Sequence, residues 1–455
     1  MKSFASIARV IILQLIAVTS ITTAHAVVFT TDTSIGALDA SYDGQDVVVS
    51  NCTVTIDGAH AFNSFRLATG GTLTHTASSN GLSLTLTNDL QVESGGAINL
   101  AGRGFDGNTG TGNGGEAGSP QSGSGAGHGG YGGLSSSNAL GGNCYGVFDQ
   151  PVTLGSGGGQ GATSIGGSGG GAIKLVIGGS ALIDGVISAN GANATNSRSG
   201  GGSGGSVWIV AQTVTGAGTI TANGGNGEPI HGGGGGGGRI AIHSDTNNFT
   251  GTITAFGGQG WKIGGAGTIY TKPTASTGLL LVDNGGNAGT NTLLSVTNQA
   301  DVAIRGRAGV IPTGACIARD VMLASNSAIV FAINFPATSI TARHLIVEPT
   351  AAVEADGRGT FLGGGTGTPG VYAGGGSGGS GGNSLSNGIG GFISSPGTAI
   401  LMPTGTGMGG GGTNNSTSGS GGGFGGGGIR LIISNDLVLN GRISANGLDG
   451  MPAGG

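Results

Sequence analysis

A strand–turn–strand unit, written four times with nearly the same ending, constrains this chain more than any other feature. The units are GGAIKLVIGGSALIDGVISANG (170–191), GGSVWIVAQTVTGAGTITANG (204–224), GGRIAIHSDTNNFTGTITAFG (237–257) and GGIRLIISNDLVLNGRISANG (427–447). Each opens on glycine and then alternates apolar residues with others: Ile173/Leu175/Ile177, Val207/Ile209/Ala211, Ile240/Ile242 and Ile429/Leu431/Ile433. Period-two alternation, rich in β-branched residues and bounded by Gly or Asn, is the pattern of short strands. The first three units begin 34 and 33 residues apart, at Gly171, Gly205 and Gly238. A unit this small cannot bury its own apolar face, whereas a stack of units can. The expected fold is therefore all-β, a parallel β-solenoid or β-helix with Gly-rich insertions.

In such a stack, equivalent residues form columns. Ile187, Ile220, Ile253 and Ile443 are expected in one inward column, and Ala189, Ala222, Ala255 and Ala445 in the next. Asn190, Asn223 and Asn446 each precede a glycine where the chain must leave the strand. Asn and Gly tolerate the positive φ of tight corners, and stacked asparagines can hydrogen-bond along the column, so a structural role is preferred to ligand binding. The alternate positions Lys174, Val176, Trp208, Val210, Ala241, Arg430 and Ile432 are largely apolar too. A face of that kind is covered on both sides, and the preceding Gly runs are the nearest candidates for the cover.

A larger duplication encloses the units. Leu67-Ala68 recurs as Leu323-Ala324, and Gly191 as Gly447, at an offset of 256. INLAGRGF (98–105) recurs as VEADGRGTF (353–361), so Ile98 maps to Val353 and Gly102 to Gly357 at an offset of 255. The chain reads as two copies of one large module, the second truncated, and hence as a piece of a longer protein. The expected divisions are 1–26 a signal peptide, 27–105 the β-rich start and 106–170 a Gly-rich insertion. Residues 171–274 hold tandem units, 275–361 a second β-rich start, 362–425 a second insertion and 426–455 the start of a second array.

Composition bears on the insertions. With 108 Gly and 11 Pro among 455 residues, about a quarter of the chain, the usual reading is low complexity or disorder. Charged residues are only 8%, so the high charge that keeps many disordered chains extended is absent. Two readings of the Gly runs stay open: threefold extended helices lying against one another, or flexible linker. The stretches 106–170 and 362–425 are expected to be mobile at least in part.

The first 26 residues read as a secretory leader, with Lys2 and Arg9, an apolar run over Val10–Val18 and the small-x-small Ala24-His25-Ala26. That run is short for a membrane span, and no other stretch is long and apolar enough to cross a bilayer. Without Lys2 and Arg9, the 16 Lys and Arg fall to 14 against 21 Asp and Glu, a net charge of −7. That sign argues against nucleic acid or anionic lipid as partner. Cys52, Cys144 and Cys316 make no disulfide framework and no zinc spacing; they read as isolated thiols.

YDGQDVVVSNCTVTIDGAHAFNSFRL after the leader, then GGGSGGSVWIV…GTITANGGNG, GGGGGGGRIAIH and GGAGTIYTKP, give an order that covers most of the chain. It resembles the Gly-rich repeat regions of large bacterial exported and cell-surface proteins, which are similar to right-handed parallel β-helices of the pectin-lyase-like kind. The resemblance implies architecture and an exported or cell-surface location, with extracellular polysaccharide or cell-surface components as partners. It carries over no functional residue.

The leading expectation is thus a non-enzymatic structural or adhesive segment of a larger protein. Its rivals are a carbohydrate-active lyase or hydrolase and a disordered Gly-rich matrix component. Carbohydrate chemistry needs paired carboxylates, or Ca²⁺-binding acids beside a base. The best pairs, Asp106 with Arg103 and Asp356 with Arg358, read more economically as a repeated structural turn. AGRGFDGN resembles a Ca²⁺-binding nonapeptide but does not recur in tandem, and no GxxxxGK[ST] occurs. Trp208, Trp261, Tyr131 and Tyr372 could stack on sugars but read as packing. Asn51, Asn193, Asn248, Asn414 and Asn415 satisfy N-x-[ST], relevant only where the source glycosylates. Thr-x-Thr pairs such as Thr53-Val54-Thr55 repeat too irregularly for an ice-binding face. No catalytic, cofactor-binding or metal residue is assigned, and no cofactor is implied.

Overall fold

The computed structural model describes residues 26–195, 197–332, 338–359 and 424–449. The leader before Ala26, most of the 362–425 insertion and the last residues lie outside them, as do Tyr372, Asn414 and Asn415. Among the described residues every regular element is a strand, and no helix is long and apolar enough to cross a membrane.

The strands stack in register. One parallel sheet runs through Thr33–Ile35, Thr53–Ile56, Thr72–Thr74, Ala97–Asn99, Val186–Ser188, Thr219–Thr221 and Thr252–Thr254. Its inward column reads Val54, Leu73, Ile98, Ile187, Ile220, Ile253. From Val54 to Ile220 every member has zero exposure, each such side chain stabilising by about 1.5–3 kcal/mol on burial. Ala189, Ala222 and Ala255 are equally buried. A second sheet carries the rest of each turn. Ala172–Ile177 and Ser180–Ile183 both pair with the eleven-residue strand Ser206–Gly216, which pairs with Arg239–Phe249.

Ile443 and Ala445 do not join these columns. A separate five-strand parallel sheet, Asn291–Leu294, Gly309–Pro312, Ala328–Val330, Ala352–Glu354 and Arg442–Ser444, places Ile443 over Val353, Ile329 and Val310. The repeated phrase fixed the role of Ile443 within a turn, not the stack to which it belongs.

The two stacks meet where Thr268–Pro273 and Leu279–Asp283 pair antiparallel, Ile269 opposite Leu281 and Tyr270 opposite Leu280. Elsewhere this large sheet is parallel. Ile269 and Leu281 pack with the first core, whereas Tyr270, Leu280, Ala241 and Trp208 belong with the second. The cores therefore lie on opposite faces of a shared sheet. That arrangement, together with Phe148 against Tyr270 (ring centroids 5.1 Å apart), covers the apolar outward face at Trp208 and Ala241; the Gly runs are not its cover.

The Gly runs pack on one another instead. From Gly200 to Gly205, successive N–H groups donate to the carbonyls of Gly159, Gly233, Ala192, Ser156, Gly236 and Ala189. Residues three apart thus address the same neighbouring segment. Gly233 to Gly238 repeat the pattern, donating to Gly123, Lys262, Gly225, Ala126, Gly265 and Ala222. A threefold extended helix has no internal hydrogen bonds, so a buried one must find partners on all sides, and these runs do. The tract at 106–170, expected to be mobile, supplies several of the partners and is largely buried between Ser122 and Gly133.

The corner asparagines bond along the column as expected, but without the backbone shape expected of them. Asn190 and Asn223 do not have positive φ. Asn190 Oδ1 accepts from the main-chain N–H of Asn223, and Asn223 Oδ1 from that of Phe256, both at 2.7 Å. In the second stack Asp356 Oδ1 takes this role towards Asn446 N at 2.6 Å.

Candidate functional site

Five arginines bridge one turn to the next: Arg66 to Glu93, Arg305 to Asp283, Arg319 to Asp301, Arg343 to Asp320 and Arg442 to Glu354. Asp356 faces Arg442 and Ser444 rather than Arg358. Burial acts to raise its pKa, but the Asn446 amide, Ser444 and Arg442 outweigh burial and hold the carboxyl below its ordinary range. Asp106 is exposed in a turn closed by Thr109, which bonds to its carbonyl. The duplicated turn is thus a shared backbone shape, and the structure does not bring its acids into a catalytic pair. Among the described residues no cluster of three or more His, Cys, Asp or Glu could hold a metal ion. Cys52, Cys144 and Cys316 are unpaired. Trp261 is half exposed, and Trp208 lies beside the seam between the stacks with Lys174 Nζ 4.4 Å from its ring centre.

One charged residue stands apart. Arg239 opens the strand Arg239–Phe249, and its column across the sheet reads Ala172, Ser206, Arg239, Thr268. Ile240 enters the first core, so strand alternation sends Arg239 to the face shared with the second. There it is 5% exposed. Nε donates to the Tyr145 carbonyl at 2.9 Å, Nη1 to Thr268 Oγ1 at 3.1 Å and Nη2 to the His128 carbonyl at 3.4 Å. A guanidinium carries five N–H groups, so two have no acceptor among the described residues. No carboxylate pairs with it among the described residues.

The groups bonded to it are neutral. Burial, and then the Arg239 charge, pull His128 down to about 3. Its Nδ1 therefore carries the proton donated to the Gly204 carbonyl, while Nε2 accepts from Thr153 Oγ1, both at 2.8 Å. Burial pushes the Cys144 thiol up to about 11 and the Tyr145 phenol up to about 12. Burial also lowers the pKa of Arg239 itself, as a desolvated cation without a counter-charge requires.

A cavity of about 320 Å³ opens at this guanidinium, in the seam between the stacks. It is lined by residues 144–149, which include Asp149, by Thr268 and Leu280 of the sheet, and by Ser295, Thr297 and Asn298. Asn298 also borders a shallower hollow containing Tyr270, Lys272 and Arg319. Arg319 there is taken by Asp301, and Lys272 Nζ by the carbonyls of Pro273 and Ser276. Sequence reasoning missed Arg239 because it reads as the last letter of GGGGGGGR. The available signal was an arginine in a column otherwise composed of Ala, Ser and Thr.

Comparison of the chain with family models, with curated proteins and with solved structures gave no significant match.

Proposed function

We propose that the chain is a non-enzymatic, exported β-solenoid segment of a larger surface or secreted protein, serving as a structural or adhesive element towards extracellular polysaccharide or cell-surface components. The observation that carries this reading is the use made of its polar groups. Arginines and carboxylates bridge successive turns, asparagines tie one turn to the next, and glycine main chain is spent on lateral bonding between runs. A chain organised in this way resists deformation along its stack.

The module duplication belongs to the same reading. Ser64–Leu67 corresponds to Asp320–Leu323, Thr72–Thr74 to Ala328–Val330 and Val186–Ser188 to Arg442–Ser444, each at an offset of 256. Gly58 and Gly314, Gly70 and Asn326, and Gly102 and Gly357 share positive φ. Gly102 N donates to Asn190 O, as Gly357 N does to Asn446 O. Matching strands, corners and hydrogen bonds at offsets of 255 and 256 support two copies of one module.

Small-angle scattering and circular dichroism on residues 27–455 test the proposal, with an extended, strand-rich particle and a cooperative melt expected. A coil spectrum or a compact sphere would refute it. Release of product from a polysaccharide panel, abolished by Asp356→Ala or Asp106→Ala, would replace it with the carbohydrate-active reading.

A further inference from the structure

We propose that the outward face of the first parallel sheet, from Thr53–Ile56 to Thr252–Thr254, binds the surface of an ice crystal. Strand alternation places two columns outside the buried one. The first reads Thr53, Thr72, Ala97, Val186, Thr219 and Thr252; the second reads Thr55, Thr74, Asn99, Ser188, Thr221 and Thr254. Along the chain the Thr-x-Thr pairs come at unequal intervals, but the register gathers 53–55, 72–74, 219–221 and 252–254 onto one face. The first column is half-buried or exposed throughout, while Thr74 and Ser188 interrupt the second by being buried. The Thr74 hydroxyl donates to the Asn99 carbonyl at 2.7 Å. The other threonine hydroxyls of the face have no partner among the described residues. The fold itself does not demand them: the second stack has Gly309–Pro312 and Ala328–Val330 where the first has Thr53–Ile56 and Thr72–Thr74, and no threonine stands at the matching outward positions.

The repeat selects the partner. A face that offers nearly the same group rung after rung is matched at every rung only by a surface with its own translational order, which is a crystal. Neither column holds a charged residue, so the ions of a mineral find no counter-charge. Neither holds an aromatic ring, so the sugar faces of a crystalline polysaccharide find nothing to stack on. What remains is hydroxyl and methyl. A hydroxyl both donates and accepts, as water does, and the β-branched threonine holds its hydroxyl and methyl in few rotamers. Neighbouring strands lie about 4.7–4.9 Å apart, close to the repeat of oxygen atoms along the a axis of hexagonal ice. The inference goes beyond the structural reading and needs only the stack.

The test uses the full chain and ice itself. Thermal hysteresis, the gap between melting and growth of a seeded crystal, should be measurable, and fluorescently labelled chain should be taken up into a growing ice hemisphere. Thr219→Tyr, whose ring stands proud of the face, should lose both while its circular dichroism and melt stay unchanged. Thr221→Val, which keeps a methyl and loses the hydroxyl, should weaken both. Gln91→Tyr adds the same ring at an exposed position on the other sheet of this stack and should retain both. Absence of hysteresis and uptake, or full activity in Thr219→Tyr, overturns the inference. So does binding to microcrystalline cellulose or chitin, in place of ice, that Thr219→Tyr abolishes. An extended, strand-rich particle that leaves ice alone would sink this inference only; a coil spectrum would sink the structural reading as well.

Discussion

Replacing Gly235 by Ala puts a methyl group where the main chain of Gly201 and Gly202 already lies. A Cβ there would come closer than 3.0 Å to the Gly202 carbonyl, and that carbonyl accepts from Gly225 N. Either the 200–205 run shifts or the Gly225 bond breaks. Overpacking of this kind costs about 1–3 kcal/mol, and a lost main-chain bond about another 1 kcal/mol. Against that, alanine restricts the unfolded chain and contributes about 0.4–1 kcal/mol of stability. The net expectation is destabilisation by about 1–3 kcal/mol. Gly36 is the internal control: its φ is not positive and a Cβ there meets nothing within 4 Å, so Gly36→Ala should stabilise by about 0.4–1 kcal/mol. Since stacked arrays can unfold in parts, hydrogen exchange is the assay of choice. The amides of Gly201, Gly225 and Gly258 should exchange about 10- to 100-fold faster in Gly235→Ala. If Gly235→Ala protects as Gly36→Ala does, the Gly runs are not packed helices and the argument for a glycine bundle fails.

Ile220→Ala removes a fully buried member of the column between Ile187 and Ile253 and should cost about 2–5 kcal/mol, read by chemical denaturation; a change below that range would mean the column is not close-packed. Asn223→Ala strips the acceptor from Phe256 N and should cost about 1–3 kcal/mol, whereas Asn223→Asp should retain most of the stability because Asp356 already fills that role. His128 is held neutral when folded, down to about 3, while the unfolded imidazole titrates near 6.5. The unfolded state therefore binds the extra proton between these values. Stability is full above about pH 6.5 and falls as pH drops towards 3, by up to about 1.4 kcal/mol per pH unit. Denaturation as a function of pH should show that slope, and His128→Asn should reduce it; burial lowers the pKa of His75 in the same direction, so a residual slope remains.

Much of the rung register was legible because it is carried by side chains. Ile187, Ile220 and Ile253 announce their column through equal spacing and equal neighbours. Ile443 was misplaced because an identical phrase in a second stack carries no mark of which stack it is in. The Gly runs could not be read at all beyond their two alternatives: glycine has no side chain to show a face, and the threefold order resides wholly in which carbonyl each N–H meets. The covering of Trp208 and Ala241 was foreseen as a need but not by its agent, since pairing Tyr270 with Leu280 depends on a chain reversal that neither strand encodes. Arg239 needed the register of four strands before its oddity among Ala172, Ser206 and Thr268 could be seen.

The reversal between Pro273 and Leu279 has a consequence for anything built from this joint. Strand polarity flips and, at the same time, the filled side of the sheet changes over. Together these amount to a half rotation about the direction in which paired strands succeed one another, so the second core is offset sideways from the first across one shared sheet. A second joint of the same kind would turn the filled side back.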